Sequence, residues 1–100
     1  MAYKVLLTER ALNDLNQTLA YLLKEWTVRE ADIFLHDLER LKALLVSDPF
    51  IFAEFDNFRS IHSVLLTKHN RVYYQIDSNK MIVYILTIFN VFQDPEKAGL

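Results

Sequence analysis

Apolar residues recur along this chain with two different periods. Tyr3 to Leu7 gathers strand-forming residues, and Thr8 follows as a helix N-cap. Beyond it Leu12, Leu15, Leu19, Leu22 and Trp26 recur at steps of three and four, with Asn13, Asp14, Asn16, Gln17 and Lys24 between them, which predicts an amphipathic helix. The stretch "TVRE" reads as a capping box, in which the Thr27 hydroxyl accepts from the backbone of Glu30 while the Glu30 carboxylate reaches back. The helix it opens carries Ala31, Phe34, Leu38, Leu41 and Leu45 on one face. Glu30, Asp37, Glu39, Arg40 and Lys42 lie on the other, and "SDP" ends the helix at Pro49. A helical hairpin is therefore expected over residues 9–47.

After Pro49 the helical period is lost. "FIFAEFDNF", Phe50 to Phe58, holds four phenylalanines without a clean period and predicts a packed connection that pins the hairpin to a sheet. Three strands are expected next, Arg59 to Leu66, Arg71 to Asp77 and Met81 to Phe89, joined by the turn-forming "TKHN" and "DSNK". The order β-α-α-β-β-β predicts an α+β fold: a small antiparallel meander packed on one face by the N-terminal hairpin, in one domain spanning residues 1–100. Val72, Tyr74 and Ile76 alternate with Arg71, Tyr73, Gln75 and Asp77, so one sheet face is expected to bury against the helices and the other to be polar.

Composition narrows the chemistry. The chain has 100 residues, 52% of them hydrophobic, with one Gly and two Pro, which leaves little room for disorder. A formal charge of −2 argues against coating nucleic acid by bulk attraction. The absence of cysteine excludes disulfides, a thiolate nucleophile and Cys-ligated zinc. No apolar run approaches the ~18 residues of a membrane span, and the start shows no secretory pattern, so a cytoplasmic protein is expected. His36, His62 and His69 lack metal-site spacing, and no glycine-rich phosphate loop or nucleophile elbow is present, so neither metal nor cofactor is expected.

One charge asymmetry stands out. Between Asp56 and Asp77 there is no acidic residue, while Arg59, His62, Lys68, His69 and Arg71 all fall in that interval. The meander should carry a local positive field, although basic residues also protect sheet edges. Arg71, beside Tyr73 on the expected polar face, suits a phosphate or carboxylate, and one ring of the Tyr73–Tyr74 pair is placed to stack on a base or a partner.

These segments resemble the RelE/ParE superfamily of bacterial toxins, the growth-inhibiting halves of type II toxin–antitoxin (plasmid stabilisation) systems. The resemblance spans nearly the whole chain. It rests on the opening strand with "TERALNDL", Ala31 and the leucine stripe to "LLVSDP", Arg59, "NRVYYQID" and "YILTIFNVFQDPEK". It implies a cognate antitoxin whose flexible segment wraps the toxin. It also implies one of two targets: RelE-like members cut messenger RNA on the ribosome with basic residues of the open sheet face, and ParE-like members inhibit DNA gyrase.

Against that pattern, Phe92, or Val91 if the register slips by one, stands where many relatives carry an arginine at the exit of the last strand. Arg71 matches the arginine of the third strand, His62 falls where a lysine is usual, and Val64 replaces the next lysine. Such losses at a reactive centre cost ~3–4 kcal/mol each. A ParE-like toxin that binds a protein is therefore expected, with Arg59, His62, Lys68, His69, Arg71, Tyr73 and Phe92 as the residues that bind the target or the antitoxin. The alternatives are a ribonuclease using Arg59, His62 and Arg71, and a member that only binds its antitoxin. The exposed seam of the hairpin would also suit a homodimer.

Overall fold

In the computed structural model, which describes residues 2–90 and 99–100, the chain runs β1 (Lys4–Leu7), α1 (Glu9–Glu25), α2 (Val28–Ser47), β2 (Glu54–Asp56), β3 (Ile61–Thr67), β4 (Asn70–Asp77) and β5 (Ile82–Asn90). Both helices begin where their caps place them. Thr8 Oγ1 accepts from Ala11 N–H at 3.1 Å and Thr27 Oγ1 from Glu30 N–H at 3.3 Å. The Thr8 hydroxyl also lies 3.0 Å from the carbonyl oxygens of both Ile85 and Leu86, so the cap of the first helix ties it to the last strand.

The sheet order is β1-β5-β4-β3-β2. Two features depart from the expected meander. A fifth strand, β2, lies inside the aromatic stretch; it spans three residues, too few to show alternation. And the sheet is mixed, because β1 runs parallel to β5, with Lys4 opposite Ile82 and Leu7 opposite Ile85. A parallel pair needs a long crossover, and here the hairpin and three further strands supply it. β2 to β5 pair antiparallel throughout.

The core lies between hairpin and sheet. Phe34, Leu38, Leu41 and Leu45 of α2 pack with Ala11 of α1 against Val72, Tyr74, Ile76, Val83, Ile85 and Ile88. In α1 the buried stripe is centred on Ala11, with Leu15, Leu19 and Leu22 packed beside it. Leu12 and Trp26, expected in that stripe, are 50% and 60% exposed. The fully buried residue of α1 is thus a small one, which a search for large apolar side chains passes over.

Two ties hold the connection after α2. Tyr74, fully buried, donates its hydroxyl to the Pro49 carbonyl at 2.7 Å. Burial, reinforced by the Asp48 carboxylate, pushes the Tyr74 phenol up to about 12. His62 stacks on the Tyr74 ring at 5.5 Å, and its Nδ1 lies 2.8 Å from the Phe52 carbonyl oxygen, the geometry of an Nδ1–H donor.

Candidate functional site

The sheet face turned away from the helices is the candidate surface. Cross-strand register places Leu65, Arg71 and Phe89 side by side, followed by Ser63 beside Tyr73 and Ile61 beside Gln75. A bulge in β5, where Tyr73 faces Thr87 and Tyr74 faces Ile85, turns Thr87 and Ile88 toward the helices and Phe89 toward the open face. Thr87 donates to Asp14 Oδ2 at 2.5 Å, and the Ile88 N–H donates to the same oxygen at 3.1 Å. Asp14 of α1 thus holds the bulge in place.

This face is not the polar one expected from alternation. Tyr73 is 8% exposed, packed with Ile61 and Phe89, and Leu86 and Leu100 lie against them. The Phe55 ring covers Tyr73 edge-on at 5.0 Å. Tyr73 is therefore part of a second apolar cluster and not a free stacking platform. Amid it stands Arg71, the only cation that β3, β4 and β5 contribute; its Nη1 donates to Ser63 Oγ at 3.2 Å. No ion pair is formed by Arg71 among the described residues.

The other basic residues of the interval are dispersed. His62, expected with Arg71, lies on the opposite face: it pairs across the strands with Tyr74, is 4% exposed, and braces the connection after α2. Arg59 sits in the turn before β3, where its Nε donates to Asp56 Oδ2 at 2.7 Å. That bond holds the Asp56 carboxyl below the usual carboxylate range. Lys68 and His69 occupy the β3–β4 turn, where Thr67 Oγ1 accepts from the His69 N–H. They line a groove of about 950 Å³ between the hairpin and the strand ends, across from Asp14, Glu30 and Asp37. Phe92 lies outside the described residues.

Sequence reasoning missed Asp14, which reads as one more polar residue on a solvated helix face, and Phe55, which lay in the aperiodic stretch. Neither carries a local signal; both acquire their roles from tertiary contacts. Among the described residues no group of three or more His, Asp or Glu side chains could hold a metal ion, and no helix is long and apolar enough to cross a membrane.

A mixed five-stranded sheet braced on one face by a helical hairpin is the fold of the RelE/ParE toxins. Residues 5–95 match the family model of the ParE toxin of the type II toxin–antitoxin system parDE, and the chain belongs to that family. Solved structures share the fold. A chain of the chromosomal ParDE system of P. aeruginosa superposes with a TM-score of 0.73 at 13% identity, covering 90% of this chain and 97% of that one. A mutant of the E. coli toxin RelE in the free state gives 0.69 at 20% identity, with 99% and 92% covered. A chain of the toxin–antitoxin complex RelBE2 of Mycobacterium tuberculosis gives 0.63 at 19% identity, with 93% and 95% covered. No curated protein matches the sequence.

Proposed function

We propose that this toxin acts by gripping a protein through its open sheet face, without breaking bonds itself, and that a cognate antitoxin neutralises it by wrapping the same molecule. DNA gyrase is the target that the ParE resemblance implies. The observation that carries the reading is the make-up of the face: Arg71 is surrounded by Leu65, Tyr73 and Phe89, with Phe55 over Tyr73. Cleaving RNA through its 2′-hydroxyl calls for a base, an acid and donors for the developing charge. On this face Arg71 is one donor. The only carboxylate of β3 to β5 is Asp77 at the far end of β4, and His62 is buried on the other side. Half-exposed Leu65 and Phe55 beside Arg71, on a floor of buried Tyr73 and Phe89, instead have the composition of a protein-binding hot spot.

The test is induced expression alongside purified components. Growth arrest, loss of gyrase supercoiling and intact transcripts are the expected outcome. Cleavage of messages at translating ribosomes would overturn the reading, and unaffected growth with folded, antitoxin-binding protein would place the chain among inert members. Arg71→Ala is expected to weaken target binding about thirtyfold, the effect of losing a hot-spot arginine. Its melting midpoint should barely move, because the guanidinium gives up a single bond to the Ser63 hydroxyl.

A further inference from the structure

The turn between β2 and β3 displays an apolar side chain that no described residue covers. Phe58 is 98% exposed, whereas the next most exposed large apolar residue among those described, Val28, is at 66%. The turn beneath it is braced on several sides. Asp56 accepts from the Arg59 N–H at 3.2 Å and from Arg59 Nε at 2.7 Å, and the Ser60 N–H donates to the Asn57 carbonyl at 3.2 Å. Gln75 Nε2 donates to the Arg59 carbonyl at 3.0 Å, fastening the turn to β4. Ser60 adopts φ 56°, a left-handed conformation that a serine takes only when its surroundings impose it.

We propose that Phe58 is an anchor that inserts into an apolar pocket on the protein target, with Phe55 on the neighbouring open face continuing the contact. This rests on the reading of a protein-directed toxin. A side chain already displayed on a fastened turn loses little freedom when it enters a pocket, so the apolar area it buries is retained as affinity. Charge selects the occupant. The stretch from Glu54 to Ser60 carries Glu54, Asp56 and Arg59, one excess negative charge, and Arg59 is spent on Asp56. The stretch therefore offers a phosphate backbone no uncommitted cation, and an uncharged protein pocket needs none.

The experiment compares the full chain with Phe58→Ala, Phe58→Leu and Phe58→Trp, using growth arrest on induction, affinity for purified gyrase and sedimentation. Melting midpoints and antitoxin binding serve as controls, and all variants should fold, since Phe58 has almost no contacts to lose. Phe58→Ala is expected to bind about tenfold to a hundredfold more weakly and to relieve growth arrest, with Phe58→Leu recovering much of the loss. A Phe58→Ala variant as toxic as the parent overturns the anchor while leaving the protein-directed reading intact. Recovery by Phe58→Trp but not Phe58→Leu would overturn it in favour of stacking on a base, and a parent dimer that Phe58→Ala dissociates would overturn it in favour of a second copy. Transcript cleavage by the parent chain would sink the reading and the anchor together.

Discussion

Replacing Tyr74 by alanine is expected to destabilise the protein by about 4 kcal/mol, the range for removing a buried aromatic ring. That is much of the margin of a domain this size, and the melting midpoint should fall by on the order of 20 °C. The ring is fully buried at the middle of β4, is stacked by His62, and carries the hydroxyl that satisfies the Pro49 carbonyl. Its loss opens a cavity between sheet and hairpin and also releases the connection after α2. Tyr74→Phe separates the two effects: the ring stays, and the cost should drop to about 1–2 kcal/mol for one buried carbonyl left without its donor.

The same substitution has a pH signature. The folded protein holds the phenol neutral up to about 12, above the ordinary value of 10.0. Its stabilising contribution is therefore complete below pH 10 and is lost as pH rises toward 12, where the unfolded chain gives up the proton first. Denaturant melts across that window should show a decline in the parent that is shallower in Tyr74→Phe. Equal slopes would mean that the phenol is not confined as described.

The second large effect is expected at Asp14. One carboxylate oxygen takes both the Thr87 hydroxyl and the Ile88 N–H, and both residues are buried. Asp14→Ala leaves two donors without a partner, at a cost of about 3 kcal/mol measured as a shift in urea midpoint. Because the bulge turns Phe89 onto the open face beside Arg71, the substitution should also disturb the target binding proposed for that face, which a purely local loss would spare. Adding Thr87→Val should restore part of the stability by removing one stranded donor. If the double variant is no more stable than the single one, the hydroxyl is not the group at stake.

The helices were legible because their signals are local. Thr8 and Thr27 cap them as expected, and Ala31, Phe34, Leu38, Leu41 and Leu45 repeat at a helical period that survives in the structure. The sheet face was not. In β3 both alternating sets, Ile61 with Leu65 and Val64 with Leu66, are apolar, so the period does not say which side His62 shares. Only the register, with His62 opposite Tyr74 and Leu65 opposite Arg71, separates it from Arg71. In β4 the adjacent Tyr73 and Tyr74 are both buried, one in each cluster, which erased the contrast that predicted a polar face. The bulge in β5 and the parallel β1–β5 pair depend on contacts across most of the chain, beyond the reach of any local pattern.

That parallel pair has a bearing on how the molecule comes into being. With Lys4 joined to Ile82, β1 waits for its neighbour until some eighty further residues have been synthesised, and β5 is flanked on both sides by strands made before it. The hairpin can coil early, but the sheet closes late and slowly, as long-range pairings do. A nascent copy still lacking β5 therefore has no assembled open face, and whatever that face binds can be engaged only once synthesis has passed that strand.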